Sequence, residues 1–240
     1  MKKKRHIAWF SCGIPSALTA KYAVEDHDAE VVYCDTFAEE HPDNRRFLEE
    51  CSEWIGKEIL ILKSPDFNSP TEVFEKRKYL SGIAGAPCTG ILKRQVRHAY
   101  QHIDDVHCWG YYTDEIHRVD RMLKNEPEFE HVFPLIDRGL SKEDCRTEFA
   151  KSGIEIPMMY QLGYNNNNCF GCVKSSSPKY WNKIRKDAPE IFASRAEQSR
   201  RFGCRLIRVK GERVFLDELA PDVQEDLFEQ IDCGVVCQTS

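Results

Sequence analysis

The sequence lacks any apolar run long enough to span a membrane; its apolar stretches are of strand length, and a spanning helix needs about 20 such residues. It also lacks the apolar core of a secretory leader. Met1-Lys2-Lys3-Lys4-Arg5-His6 has the basic start of one, but His6-Ile7-Ala8-Trp9-Phe10-Ser11 is short and runs into Gly13 and Pro15. Positive charge is not in excess. The formal net charge of −5 argues against wholesale coating of nucleic acid, though a local basic patch acts through its own field. There is no internal repeat, and Asn165-Asn166-Asn167-Asn168 is too short to count as low complexity. These absences lead to the expectation of a soluble, cytoplasmic protein with no membrane partner.

Cysteine, by contrast, is abundant. The chain has 240 residues, 41% apolar and 30% charged, which suits one large domain or a domain with an appendage, and 11 of them are cysteine. An odd count rules out complete intramolecular pairing, and a reducing compartment disfavours disulfides altogether. Cys34 in Val31-Val32-Tyr33-Cys34 and Cys108 in Val106-His107-Cys108-Trp109 read as small core residues. Four others are candidate metal ligands. Cys169 and Cys172 form a C-x-x-C, Cys88 stands in Ala86-Pro87-Cys88-Thr89-Gly90, and Cys145 in Lys142-Glu143-Asp144-Cys145-Arg146. Thiolates gathered at one point hold zinc or an iron–sulfur cluster; the plain alternative is uninvolved thiols.

Strand-length apolar runs alternate with helix-length amphipathic stretches. Strands are expected over His6–Phe10, Glu30–Cys34, Glu58–Leu62, Val106–Trp109 and His131–Ile136. Helices are expected near Pro15–Glu25, Asn44–Ile55, Thr71–Tyr79, Gly90–Gln101, Asp114–Lys124 and Lys142–Lys151. This order predicts an α/β fold: a doubly wound, mainly parallel five-stranded sheet with helices on both faces. After Gly153 the pattern changes. Irregular chain closes on the C-x-x-C, and helices follow near Pro178–Lys186 and Pro189–Arg201. A hairpin with Lys210-Gly211-Glu212 at its turn and a short helix, Pro221–Gln230, then form a small C-terminal appendage. Three stretches result, 1–153, 154–203 and 204–240.

Ligands of such sheets bind beyond the carboxyl ends of the strands. Strand one ends in Ser11-Cys12-Gly13-Ile14-Pro15-Ser16, a turn that offers N–H groups and hydroxyls at a helix N-terminus and serves as an anion site or merely as a cap. Asp35 and Thr36 end strand two, where an acid often meets a ribose or an adenine amino group; the alternative is a solvated acidic loop. After strand four come Gly110, Tyr111, Glu115 and Arg118. Arg118 either clamps a phosphate or sulfate or forms a surface ion pair with Asp114. Lys93 and Arg97 share a helical face at i and i+4 after Cys88, with Arg94 between them; with Lys174 and Lys179 they read as a positive patch beside the site or as a solvated face with some nucleic-acid affinity.

In combination these segments resemble the phosphoadenosine-phosphosulfate reductase family of the PP-loop adenine-nucleotide superfamily, over roughly residues 6–200. Ser11-Cys12-Gly13-Ile14-Pro15-Ser16 is similar to that family's first phosphate loop, and Asp35-Thr36 with His41-Pro42-Asp43 to its second-strand motif. Pro87-Cys88-Thr89 with Leu92-Lys93-Arg94 is similar to its first cluster segment, Gly110-Tyr111 with Glu115 and Arg118 to its third loop, and Gly163-Tyr164 leading to Cys169-Phe170-Gly171-Cys172 to its second cluster segment. Tyr180-Trp181-Asn182-Lys183-Ile184-Arg185 is most similar to the divergent phage and bacterial branch, which places the expected cytoplasm in a bacterium or a phage-infected host.

The resemblance implies an adenine nucleotide held in 1–153 by Ser11, Cys12, Gly13, Ser16, Asp35, Thr36, Gly110, Tyr111 and Glu115, with Lys93 and Arg118 on its anionic groups. It implies a [4Fe-4S] cluster on Cys88, Cys169 and Cys172, with Cys145 taken as fourth ligand, and zinc as the alternative. It implies sulfur chemistry, most simply reduction of an adenylyl sulfate to sulfite, with Cys233 of Asp232-Cys233-Gly234 as nucleophile and a thioredoxin-like donor as partner; a homodimer stays open. Departures bear on the reaction. Pro15 stands where ATP-using members carry Asp, Cys12 where they carry Gly, Cys88 is flanked by Pro87 and Thr89 where cluster-bearing reductases carry two adjacent Cys, and Val235-Val236 stands where the tail has Leu-His. Two other readings remain: a sulfur transferase acting on tRNA or DNA, and a non-catalytic nucleotide or redox sensor with a structural metal.

Overall fold

A computed structural model describes residues 3–82 and 85–223 of the chain. Strand β1 (His6–Phe10) is followed by helix α1 (Ile14–His27), strand β2 (Glu30–Cys34), helix α2 (Asn44–Ile55), strand β3 (Ile59–Leu62) and helix α3 (Pro70–Arg77). A π-helical stretch, Thr89–Gln95, precedes α4 (Val96–Tyr100), β4 (Val106–Cys108), α5 (Ile116–Asn125), β5 (Glu130–Val132), α6 (Pro134–Asp137), α7 (Lys142–Ala150) and α8 (Met158–Gln161). Helices α9 (Pro178–Asp187) and α10 (Pro189–Arg201) and the strands β6 (Ile207–Val209) and β7 (Glu212–Val214) complete the described part. Among the described residues the chain forms two compact units, each assembled from stretches far apart in sequence: 3–35, 42–63 and 96–167 in the first, 36–41, 64–82, 85–95 and 168–223 in the second.

The first unit is the doubly wound α/β fold expected from the sequence, with all five strands parallel in the order β3-β2-β1-β4-β5. Ala8 lies opposite Val31 on one side and Cys108 on the other. From Ile7 to Phe10 and from Val31 to Cys34 every residue is buried, as happens when helices cover both faces of a parallel sheet and erase the inward–outward alternation. Pro15 sits in the first turn of α1, where its missing N–H costs no hydrogen bond, and Asp28 closes the helix in a left-handed conformation, its N–H on the carbonyls of Ala23 and Val24. On α2, Phe47, Leu48, Cys51 and Ile55 form one buried stripe.

Two elements differ from the reading of the sequence. The strand expected over His131–Ile136 stops at Val132, because Pro134 cannot donate to a ladder and instead opens a helical turn through Asp137. The helix expected over Gly90–Gln101 is π-helical through Gln95, and its Arg97 is not a patch residue. Arg97 is fully buried, makes a two-pronged ion pair with Glu126 and lies 5.3 Å over the Trp109 ring. Burial works to raise the Glu126 carboxyl, but the hydrogen bonds and charge of Arg97 hold it below its ordinary value. The helix expected over 221–230 falls, from 224 onward, outside the described residues.

Aromatic rings fill the space beside this pair. Trp9 Nε1 donates to His107 Nδ1 at 3.1 Å, and Trp109 Nε1 donates to His131 Nδ1 at 2.9 Å. An accepting Nδ1 puts the proton of each neutral imidazole on Nε2. That of His131 reaches the Glu126 carbonyl at 2.9 Å, while that of His107 is buried with no partner among the described residues. Burial, with the charge of Arg97, pushes His107 down to about 4.

The second unit packs α9 against α10 around fully buried Trp181, whose ring meets Phe192 edge-on at 6.4 Å and whose indole N–H reaches Ser175 O at 2.8 Å. Lys210 and Gly211 join β6 to β7 with φ of 48° and 86°, the two positive values of a type I′ hairpin turn. Among the described residues no helix is long and apolar enough to cross a membrane.

Because His107 is a base whose folded pKa lies below its ordinary value near 6.5, the unfolded chain takes up its proton first as pH falls. The stability this group holds is complete above about pH 6.5 and is lost between there and about pH 4, by roughly 3 kcal/mol in all. Urea unfolding at pH 7 and pH 4.5 measures the drop, and His107→Gln should flatten it.

Candidate functional site

In the first unit the strand order reverses between β1 and β4, and a doubly wound sheet opens its ligand crevice beyond the strand ends at such a reversal. The segments there are 11–16 and 109–118. The Ser16 hydroxyl closes the first one on itself. It accepts the N–H of Ser11 at 3.0 Å and of Gly13 at 3.3 Å, and donates to Gly13 O at 2.8 Å. Gly110 comes down directly on this turn: a Cβ there would lie 3.2 Å from Ser16 Cα and N, closer than a side chain normally tolerates, so only glycine lets the end of β4 approach α1.

Further contacts come from a distant stretch of the same unit. Tyr160 brings its hydroxyl oxygen to the backbone N–H groups of Ile14 and Asn167; burial outweighs both bonds and pushes the phenol up to about 12. Cys12 is buried with a left-handed φ of 54°. That conformation is strained for a residue with a Cβ. It is held by Asn167, whose Nδ2 donates to Cys12 O at 2.6 Å and to Asn44 Oδ1 at 2.8 Å, while its own Oδ1 is buried without a partner among the described residues. The N–H groups of the turn at Ser11, Gly13 and Ile14 are thus engaged by Ser16 and Tyr160.

Cationic side chains stand on the other segments. Arg118 pairs with buried Glu115 one helical turn back and lies 4.7 Å over the Tyr111 ring. Lys142 opens α7, half-buried, with Nζ on Asn165 O at 3.2 Å; burial and the charge of Arg146 lower its pKa, against the pull of Glu115 and Asp114. A lysine in the first turn of a helix opposes the helix dipole, and Arg146 four residues on repels it. This arrangement favours an anion. Asp35 directly follows β2, its N–H on Leu62 O at 2.8 Å.

The second unit carries the thiol loop. Phe170 N–H donates to Glu39 O at 2.9 Å, and the Tyr180 hydroxyl takes the Cys172 N–H at 2.7 Å while reaching Cys169 O at 3.3 Å. Gly171 has φ +63°, and a Cβ there would meet Ile191 Cγ2 at 2.7 Å. Behind it, Arg195 is paired with Glu39 and bound to Thr71 Oγ1 at 3.1 Å and Gln198 Oε1 at 2.6 Å. The C-x-x-C backbone is therefore fixed by the fold itself, with Cys172 buried and Cys169 partly exposed.

The expected site residues divide between the units. Ser11, Cys12, Gly13, Ser16, Asp35, Gly110, Tyr111, Glu115, Arg118 and Cys145 belong to the first; Thr36, Cys88, Lys93, Cys169 and Cys172 belong to the second. Thr36 is buried, its hydroxyl on Glu40 Oε1 at 2.5 Å, and Lys93 is buried in the π-helical stretch. Cys88 packs against Val73, Ile91 and Leu92. Cys145 is buried in α7, and burial with the carboxylates Asp144, Glu115 and Asp114 pushes its thiol up to about 12, the reverse of the lowering expected from a helix N-terminus. Among the described residues no three His, Cys, Asp or Glu side chains gather to hold one metal ion. Cys233 lies outside the described residues. Tyr160, Asn167, Lys142, Glu39, Arg195 and Tyr180 carry roles that reading the sequence missed; only Lys142, a cation directly after the cap Ser141, had a visible signal.

Tyr160→Phe removes the acceptor of two backbone donors and should cost about 2 kcal/mol of stability, measured by denaturant unfolding, where replacement of an ordinary exposed tyrosine costs little. Compared with known protein families and with curated proteins, the chain matches no family model and no curated protein.

Proposed function

We propose that the chain binds an adenine nucleotide beyond the strand ends of its five-stranded sheet and carries out sulfur chemistry, most simply thiol-dependent reduction of an adenylyl sulfate to sulfite. The observation that carries this reading is the reversal of strand order between β1 and β4, with Gly110 allowing the end of β4 to lie on the first turn of α1. Because the N–H groups of Ser11, Gly13 and Ile14 are engaged within the chain, the anionic end of the nucleotide falls to side chains, with Arg118 and Lys142 as the candidates. Asp35 would take a ribose hydroxyl or the adenine amino group.

The reaction needs a thiolate. In the proposed step the Cys233 thiolate bonds to the sulfate sulfur, the bond from sulfur to the phosphate oxygen breaks, and the nucleoside phosphate leaves with that electron pair. One thiolate of a dithiol donor then attacks the Cys233 sulfur and expels sulfite, and the donor's second thiol breaks the resulting mixed disulfide, releasing the Cys233 thiolate and leaving the donor as a disulfide. The cluster proposed for this chain would draw on Cys169 and Cys172, whose loop is held by Tyr180 and Glu39, and on Cys88, although the described residues do not gather these three side chains around one ion. Cys145 is the least suited of the four cysteines, since its surroundings favour the neutral thiol. When bound, an iron–sulfur cluster would supply an iron site with a potential set by its hydrogen bonds; zinc would supply charge alone.

Calorimetric titration of anaerobically purified protein with adenosine monophosphate and adenylyl sulfate, followed by a sulfite assay with thioredoxin, tests the reading. Arg118→Ala should weaken nucleotide binding about tenfold, and Cys233→Ser should abolish sulfite while leaving binding intact. Failure of the wild-type chain to bind either nucleotide sinks the proposal.

A further inference from the structure

The second unit treats its arginines unevenly. On α10, Arg195 is neutralised by Glu39, Arg200 by Asp217 and Glu218, and Arg201 by Glu75. The hairpin that follows is left positive. Between Cys204 and Phe215 the sequence has four cations, Arg205, Arg208, Lys210 and Arg213, against the single carboxylate of Glu212.

The strand register sharpens this imbalance. Arg208 lies directly opposite Arg213, and both are exposed, while the adjacent pair, Ile207 and Val214, has Ile207 fully buried. Successive residues of a strand face opposite sides, so the two guanidinium groups share the outward face. Like charges directly opposite in an antiparallel pair destabilise it. Among the described residues neither arginine has a carboxylate partner. Arg213 Nη1 is instead anchored to the carbonyls of Arg205 and Leu206, at 3.3 Å each, which fixes the cation without cancelling its charge. Lys210 is exposed at the turn, and the Arg208 N–H on Ser176 O at 3.0 Å ties the hairpin to the loop after Lys174.

We propose that the outward face of the β6–β7 hairpin binds the sugar-phosphate backbone of a nucleic acid. A regular row of phosphates turns the repulsion between Arg208 and Arg213 into attraction and releases counterions as it does so. A rigid two-stranded ribbon also has the width that the major groove of a duplex admits. The residues at 208, 210 and 213 offer nothing apolar for a bilayer to take up, which distinguishes this face from a membrane-binding one. The inference stands apart from the adenine-nucleotide reading, since it uses none of the residues assigned to that site.

Fluorescence anisotropy of the full chain with a labelled 20-nucleotide single strand and the matching duplex, across 50–300 mM salt, tests the surface. Binding to either form should weaken with salt at a logarithmic slope of about −2 to −4, as for a few phosphate contacts. The double variant Arg208→Gln, Arg213→Gln should bind at least about tenfold more weakly at 100 mM salt, with a slope shallower by about 2, and should melt no lower than wild type. The corresponding Lys, Lys variant keeps the charge and should bind within about threefold of wild type. Absence of binding at 50 mM salt, full binding by the Gln, Gln variant, or equal affinity for polyglutamate overturns the proposal.

Discussion

The hydroxyl of Ser16 holds together the part of the molecule on which the rest depends. It gathers two N–H groups and one carbonyl of the turn after β1, and the backbone that carries it is the surface on which Gly110 rests. Strand β4 therefore ends where α1 begins. Residues 111–118 after β4, including the Glu115–Arg118 pair, follow from that contact. The left-handed Cys12 and the Asn167 amide that steadies it belong to the same knot. A serine elsewhere in a helical turn would be an ordinary cap; here it sets the rim of the sheet.

The thiol loop is built on a different principle. Its geometry comes from backbone hydrogen bonds to Tyr180 and Glu39, and Glu39 is in turn held by Arg195 and Thr71. A pair of cysteines so placed does not need a metal to bring its backbone into shape, so little ordering cost would remain for a ligand to meet. The buried charge of Arg195 is compensated by Glu39, Thr71 and Gln198, although its Nε is buried without a partner among the described residues. Losing Glu39 would leave that guanidinium desolvated and opposed only by neutral groups.

Much of the fold is legible in the sequence, because β1, β2 and β3 are uninterrupted apolar runs and because Ser, Pro and Gly punctuate the helices. What is not legible shares a cause. Phe133 and Leu135 prolong an apolar run past Pro134, so a strand was expected where the chain turns helical. The π-helical stretch has the same apolar residues that an ordinary helix would use. Arg97 reads as a surface cation until Glu126, far along the chain, closes on it. The same holds at the site. Ser11, Gly13, Ser16 and Gly110 announce themselves by type and position after strands, whereas Tyr160 and Asn167 acquire their roles through Cys12, Ile14 and Asn44, far back along the chain. The division of the chain into two interleaved units is a property of tertiary contacts and leaves no mark in composition.

Strand β3 closes the sheet on one side, with Leu60 at 41% and Ile61 at 38% exposure. A bare flank of this kind is a template onto which any extended chain can add itself. Lys57 and Lys63 bracket the four apolar residues, each leaning on an acid, Asp28 and Asp35 respectively. Lysines so placed act as gatekeepers, and their influence reaches only about a Debye length. The guard on this flank therefore thins as the ionic medium thickens, so that brine eases growth by strand upon strand at this edge.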